Sequence, residues 1–291
     1  LNIVIDSMYG AGARYFSELL SGGNNKIEEI RSDFAPTFPG LLQPEPIKNN
    51  LQQLMNEVID FNADIGLATD GDADRLGIID ENGNYVSTLI SFSLLCQHLL
   101  ENLSMTGPII KSITMTNMID KLAEINNVEV IETPVGFKNL GPVFMEQEGL
   151  AAGEESGGYA FQGHIPERDG ILSGLLILDM MIKTQSTLSE LIENLTNKVG
   201  EHFYIREDIP FESSKRKEID TILSTRSFNS ISGIDINHVN DEDGFKFYLQ
   251  DDSWVLVRFS GTEPLLRLHA ESKSLDQVES LVNDIKKSLK L

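Results

Sequence analysis

One cysteine in 291 residues, Cys96, rules out an intrachain disulfide framework and a cysteine-built zinc site. It sits in the apolar run LISFSLLCQHLL and reads as a small core hydrophobe, and such sparing use suits a reducing cytoplasm. No stretch reaches the roughly 18 consecutive apolar residues of a membrane-spanning helix. The N-terminus has neither the basic start nor the apolar block of an export signal. Positive charge is scarce too: 23 Lys plus Arg stand against 45 Asp plus Glu, a net charge of −22. A field of that sign repels nucleic acid and anionic lipid within a Debye length, so neither a nucleic acid nor a membrane is expected as partner. The chain opens on LNIVID with no initiator Met and no leading polar residues, and reads as beginning inside a larger protein.

The composition that remains is that of an ordinary globular protein with room for two or three domains. NIVID, SMYGAGA and RYFSELLS read as strand, tight turn and helix; Gly10 and Gly12 lack the third glycine of a dinucleotide fingerprint. A Pro-rich loop (FAPTFPGLLQPEP), an amphipathic helix (IKNNLQQLMNEVIDF) and the strands ADIGLAT, LGIID and YVST complete an α/β unit over residues 1–86. Helices at LISFSLLCQHLLEN, NMIDKLAEIN, FKNLGPVFMEQ and GILSGLLILDMMIK alternate with strands at PIIKSITMT, VEVIETPVG and GLAAG, giving a second α/β unit over 87–200 with mainly parallel pairing. From residue 201, strands follow strands (HFYIREDIPF, KFYLQ, SWVLVRFS, LLRLHAES), with helices at SKRKEIDTILST and LDQVESLVNDIKKSLKL. The predicted fold class is α/β: two consecutive mixed or parallel α/β sandwich domains, then a smaller α+β domain over 201–291.

The stretch ATDGDADRLGIID places Asp70, Asp72 and Asp74 at every second position, followed by Arg75, between two apolar runs. Carboxylates this close raise one another's pKa, and unpaired charge is costly to desolvate. A divalent cation relieves both costs, and all-oxygen donors select a hard ion such as Mg²⁺, completed by water and phosphate oxygens. A solvated acidic turn is the plainer reading. Asp70, Asp72, Asp74 and Glu81 also match four positions of a calcium-binding EF-hand, but Arg75 stands where that loop needs glycine and the flanks read as strands, so that reading is rejected. A strand ending in Asp-x-Asp resembles the haloacid-dehalogenase phosphatases as well, with Asp70 as nucleophile, although that family usually has Thr or Val where Asp74 stands.

RFSGTEPLLRLHAES offers Arg258, Ser260, Gly261, Thr262 and Arg267 in one strand, loop and strand. Guanidinium forks, hydroxyls and approachable backbone N–H groups suit a phosphate oxyanion, against the alternative of a β-turn with surface arginines. In AAGEESGGY, Glu154 and Ser156 lie on a Gly-flexed loop able to bond vicinal hydroxyls; a plain turn is the other reading. TPVGFKN and GHIPERDG add Lys138, His164 and Arg168, cations that hold a phosphate or move protons only in company.

Together and in this order, TDGDADR, GEESGG and RFSGTEPLLR resemble the α-D-phosphohexomutase family, the phosphoglucomutases and phosphomannomutases. DSMYGAG, FPGLLQPEP and TPVGFK are similar to that family too, so the resemblance covers essentially the whole chain. It implies the last three of the family's four domains, with domains II, III and IV at 1–86, 87–200 and 201–291. By this resemblance Asp70, Asp72 and Asp74 hold one Mg²⁺, Arg75 lies beside the phosphates, and Glu154 and Ser156 grip the sugar's 3- and 4-hydroxyls. Arg258, Ser260, Gly261 and Thr262 bind the phosphate that is not transferred, with Arg267 nearby, and Lys138 and the segment from His164 to Arg168 line the cleft.

Two departures follow. The family's nucleophile is a phosphoserine in a Thr-x-Ser-His-Asn-Pro loop of its first domain, and no His here follows a Ser. Arg168 stands where the glucose-specific branch commonly has a Lys proposed as acid/base. Guanidinium does not readily give up a proton, so proton transfer is expected from Lys138, His164 or the missing N-terminal domain. The resemblance implies interconversion of hexose 1-phosphate and hexose 6-phosphate through a phosphoserine and a hexose 1,6-bisphosphate. Glucose is favoured and mannose possible, because GEESGG is closer to the glucose-type variant. The chain alone is expected to be inactive, its partners being the phosphosugar and the missing domain. A phosphatase using Asp70 and a non-catalytic phosphosugar-binding module are the rival readings.

Overall fold

Aliphatic pentads separated by amphipathic stretches build two mixed sheets over the first two hundred residues. In the computed structural model, which describes residues 1–225, 228–260 and 264–291, NIVID forms β1 (Asn2–Asp6). It is followed by α1 (Tyr15–Leu19), β2 (Lys26–Ile30), α2 (Gln52–Asp60), β3 (Ile65–Thr69), β4 (Leu76–Asp80) and β5 (Tyr85–Val86). The sheet order is β2-β1-β3-β4-β5. β2 and β3 flank β1 in parallel, whereas β4 and β5 return antiparallel. β3 and β4 are buried at every residue, which is why they read as unbroken apolar runs. α2 covers the sheet through Leu54 and Val58, one helical turn apart, and a Cβ on Gly66 would come within 2.6 Å of Val58.

The second sheet is built from β6 (Ile109–Ser112), β7 (Val130–Thr133), β8 (Ala151–Gly153) and β9 (Tyr159–Phe161), in the order β7-β6-β8-β9. Its helices are α3 (Thr88–Gln97), α4 (Met118–Asn126), α5 (Phe137–Glu146), α6 (Gly170–Thr184) and α7 (Leu188–Val199). β7, β6 and β8 run parallel and β9 antiparallel. Ser87 caps α3, accepting the Ile90 N–H at 3.3 Å, and the helix ends in a π-helical turn at His98–Asn102. It is buried on nearly every side, Ser91 and Ser93 donating their hydroxyls to carbonyls one turn back, and burial pushes the Cys96 thiol well up. Phe92 stacks on Tyr159 at 5.2 Å beneath Gly153, whose missing Cβ leaves the space the ring occupies.

Leu1–Met115 with Ile119–Val199 make one unit, and Thr116–Met118 with Gly200–Leu291 the other. The second unit holds β10 (Phe203–Pro210), α8 (Arg216–Ser224), β11 (Ser230–Ile231), β12 (Ile234–Asn240), β13 (Phe245–Leu249), β14 (Trp254–Phe259), β15 (Leu265–Ser272) and α9 (Leu275–Ser288). Its sheet is antiparallel throughout, in the order β10-β15-β14-β13-β12-β11. Alternate residues such as Phe247, Val255 and Leu268 join Leu223, Leu281 and Ile285 in one core. On the opposite face Lys246 is fully buried, its ammonium 4.3 Å from the Trp254 ring and 4.8 Å from that of Tyr248.

The fold class is as the sequence predicts, with differences in detail. The second sheet is mainly parallel as expected, and each sheet adds antiparallel strands, because the six residues after β3 and the five after β8 are too few for a parallel crossover and close hairpins instead. β2, β9, α7, β11 and β12 are elements the pattern does not announce: KIEEI and IDINHVN carry too much charge and polarity for the apolar-run criterion. Among the described residues no single helix is long and apolar enough to cross a membrane. Replacing the stacked ring, Phe92→Ala, is expected to cost about 3–5 kcal/mol. Urea unfolding followed through the first unit checks this, and a loss below about 1 kcal/mol would contradict the assigned packing.

Candidate active site

The acidic loop is the hairpin connection from β3 to β4, at the carboxyl ends of the parallel strands, where open α/β sheets place ligands. Its turn is set by a hydrogen bond from Ala73 N–H to the Asp70 carbonyl (3.2 Å), with Ala73 left-handed at φ 63°. The Arg75 N–H donates to Asp70 Oδ1 at 3.0 Å. From one side the turn after β1 packs onto this loop: Ala11 N–H donates to Gly71 O at 2.9 Å, and a Cβ on Gly10 would fall 2.6 Å from the Asp70 carbonyl. The glycines of SMYGAGA thus serve close approach, in keeping with the tight-turn reading.

From the other side comes the second hairpin loop, GEESGG, between β8 and β9. Leu76 N–H donates to Gly157 O at 3.0 Å, and Arg75 forms an antiparallel bridge with Gly158. Gly157 has φ 94°, which only glycine adopts without strain. A third segment closes the set: Gly170 N–H, at the start of α6, donates to Ala73 O at 3.0 Å, and a Cβ there would meet the Arg75 carbonyl at 2.3 Å. Backbone therefore meets backbone at three points, which fixes the side chains the loops carry.

Those side chains crowd charge. Asp70, Asp72 and Asp74 each offer an oxygen, all within 4.8 Å of one another, with Asp70 buried, Asp74 half-buried and Asp72 exposed. Burial pushes the Asp70 carboxyl up to about 7, helped by the charges of Asp74 and Asp72 and opposed by the Arg75 N–H. Burial raises Asp74 as well, and the guanidinium of Arg168 opposes it. Arg75 Nε lies 3.5 Å from Asp70 Oδ2 and 3.8 Å from Asp74 Oδ1, while its Nη1 reaches Glu45 at 3.2 Å. Arg168 Nη2 sits 2.5 Å from Asp74 Oδ2, and its Nη1 3.8 Å from Glu154 Oε2. The other Glu154 oxygen accepts the Gly136 N–H at 2.9 Å, and burial raises this carboxyl too. Asp74 Oδ1 is buried with no hydrogen-bond donor. Three clustered carboxylates, two of them raised and one with an orphaned oxygen, are a donor set that fits a hard divalent cation.

The remaining sequence-predicted residues fall as follows. Ser156 is half-buried on the hairpin loop with Glu154. Lys138 is exposed and lines, with Phe137, Met145 and Arg168, a cleft of about 530 Å³; Arg168 also lines a cleft of about 260 Å³ beside Asp72 and Asp74. His164 is exposed, its Nε2 2.9 Å from Asp169, whose other oxygen caps α6 through the Leu172 N–H. In the second unit Arg258 pairs with Asp243 at 2.7 Å and stands directly across from Arg267, which approaches Asp208 at 3.8 Å. Ser260 is buried, its N–H donating to Leu265 O at 2.8 Å. Gly261 and Thr262 lie outside the described residues. Burial and the guanidinium of Arg206, with smaller effects from Arg267 and Arg258, hold His269 down at about 3, so it stays neutral and accepts from or donates to Tyr204 OH at 2.6 Å. Glu45, Asp243 and Gly170 escaped the sequence reading; a glutamate between the prolines of QPEP was the one visible hint.

Three profiles of a single family match the chain: phosphoglucomutase/phosphomannomutase alpha/beta/alpha domain II over residues 1–83, domain III over 82–199 and the C-terminal domain over 214–288. A protein of Methanosphaera stadtmanae named "Probable phosphoglucosamine mutase" is 32% identical over 281 residues, covering 97% of this chain and 59% of its own length. The phosphoglucomutase/phosphomannomutase of Thermococcus kodakarensis is 32% identical over 94% of this chain and 57% of its own length. The crystal structure of a phosphoglucomutase/phosphomannomutase family protein from Burkholderia thailandensis has the same fold, with a TM-score of 0.84 at 23% identity, covering 100% of this chain and 60% of that one. The chain thus spans about three fifths of the length of the curated relatives it matches.

Because Arg168 is the main cation opposing the rise of Asp74, Arg168→Ala is expected to move the Asp74 titration to higher pH. Carboxyl ¹³C NMR of the two proteins checks this, and an unmoved or lowered titration would contradict the ion pair.

Proposed function

The chain belongs to the phosphoglucomutase/phosphomannomutase family, and from that premise we propose that it carries the metal seat, the sugar grip and the phosphate clamp of a phosphohexomutase. The interconverted pair is a hexose 1-phosphate and a hexose 6-phosphate. The observation that carries this reading is the seam joining the acidic hairpin to the Glu154 hairpin, which sets a hard-cation donor set beside a buried hydroxyl acceptor. The proposed domains are 1–86, 87–200 and 201–291.

In this reading Asp70, Asp72 and Asp74 hold one Mg²⁺, which compensates phosphoryl charge. Glu154 and Ser156 bond sugar hydroxyls; Glu154 keeps one oxygen on the Gly136 N–H, which orients the other. Arg75 and Arg168 stand at the same loops as cations for phosphate oxygens, and neither guanidinium gives up a proton. Proton transfer is left to Lys138 or to His164, whose imidazole Asp169 orients. Arg258, Ser260, Gly261, Thr262 and Arg267 form the clamp for the phosphate that stays. A phosphoserine domain supplies the nucleophile, a hexose 1,6-bisphosphate is the intermediate, and the site works in the cytoplasm. The phosphatase alternative is disfavoured, since Asp70 is buried and accepts the Arg75 N–H instead of facing a substrate. Glucose is the favoured sugar on the GEESGG loop, while the name of the Methanosphaera stadtmanae relative favours glucosamine.

The pH dependence carries a definite sign. A folded-state carboxyl raised from 3.8 to about 7 keeps its proton where the unfolded chain has lost it, so its contribution to stability falls as pH rises through that window. A cation binds the ionised form. The rise in melting temperature produced by one fixed Mg²⁺ concentration is therefore expected to be larger at about pH 8 than at about pH 6. Scanning calorimetry checks it, and an equal rise at both would remove Asp70 from the seat. For the activity, protein comprising these residues and an N-terminal phosphoserine domain should convert glucose, mannose or glucosamine 1-phosphate, where the 291 residues alone do not. Arg258→Ala should weaken monophosphate binding by about 1.5–3 kcal/mol. Turnover by the 291 residues alone would overturn the division of labour, and failure of all three sugars the mutase reading.

A further inference from the structure

Arg168 has an unusual set of neighbours. Its guanidinium is the countercharge of Asp74 at 2.5 Å on the acidic hairpin, its Nε donates to Glu167 at 3.4 Å, and it stands 3.8 Å from Glu154 on the other hairpin, too far for a hydrogen bond. Its carbon chain lies against Gly158, where a Cβ would meet Arg168 Cδ at 2.4 Å, and its guanidinium carbon rests 5.6 Å from the centre of the Phe137 ring. Clefts on both sides are lined by it. Glu154 is buried with one oxygen taken by Gly136 N–H, so its second oxygen has reason to draw a cation closer.

We propose that Arg168 is a displaceable internal counter-ion: a divalent cation on Asp74 Oδ1 competes with it for the charge of that carboxylate, and the guanidinium that yields turns onto Glu154. The acidic loop thereby signals its occupancy to the loop assigned to the sugar. Asp74 Oδ1 has no donor and is open to the cation, and a divalent charge there offsets the carboxylate and repels the guanidinium held at Oδ2. Gly158 and Phe137 leave the side chain a surface along which to turn. The inference rests on the proposed cation seat at Asp70, Asp72 and Asp74, and it adds a positioning role for Arg168 that the seat by itself does not require.

A double-mutant cycle with Mg²⁺ alone as probe tests it, read by isothermal titration on the 291-residue protein. Arg168→Ala should bind Mg²⁺ at least about fivefold more tightly than the parent protein, the lower end of common coupling factors. Glu154→Gln, which removes the charge the displaced guanidinium turns onto, should bind more weakly. In the double variant the Glu154→Gln effect should vanish, because it acts through Arg168. Charges acting independently would instead add, and additivity overturns the relay, as does an Arg168→Ala protein that binds no more tightly. Arg168→Gln serves in its place should Arg168→Ala melt early. Asp72→Asn separates the two levels: if it binds Mg²⁺ as well as the parent, or if parent and Arg168→Ala both bind none, the cation seat itself falls and the relay with it.

Discussion

Three backbone contacts hold the first unit's chemistry in place: Leu76 N–H to Gly157 O, Gly170 N–H to Ala73 O, and the bridge between Arg75 and Gly158. They join the acidic hairpin to the second hairpin and to the start of α6, with Gly157 in the left-handed region and Gly170 too near the Arg75 carbonyl for a Cβ. Side-chain placement then follows without further adjustment. Asp74 and Glu154, on separate hairpins, face one guanidinium because their backbones are bonded rather than merely adjacent. Phosphoryl transfer, the proposed reaction, depends mainly on alignment and on pre-placed charge, which loops fixed at the backbone level would supply.

Charge at this seam is arranged against its own stability. Asp70, Asp74 and Glu154 are all raised by burial, and Arg75 and Arg168 offset that only in part. An apolar seam would be the more stable one, which is the usual relation between a functional site and the fold that carries it. The second unit shows the complementary device: Arg258, Arg267 and Arg206 are partnered by Asp243 and Asp208, while His269 between them is kept neutral and adds no further positive charge.

Much of this was legible from sequence for identifiable reasons. ATDGDADR stood out because alternating aspartates between apolar runs demand compensation whatever the fold. The order of TDGDADR, GEESGG and RFSGTEPLLR then named the family. Pairing between the loops was not legible. That GEESGG lies against TDGDADR depends on two hairpins meeting edge to edge, and no local pattern encodes contacts between residues so far apart in the chain. Glu45 was missed for a related cause: a glutamate in a Pro-rich loop reads as surface until Arg75 is seen at 3.2 Å. β2 and β12 were missed because strands with one charged or polar side lack the apolar run that marks β3 and β4. The second hairpin strand β9 was hidden by its shortness.

β2 is also the outer strand of its sheet, and the acidity that obscured it has a use. An outer strand presents unpaired N–H and C=O groups on which another copy of the chain can add its own strand. Lys26 and Glu28 are exposed along β2, and Glu29 is occupied by Ser7, Ser17 and the Arg14 N–H. A second copy approaching this edge in parallel register brings like charges together, on a protein whose net charge already stands at −22. The residues least eloquent about secondary structure thus make this edge a poor template for strand addition.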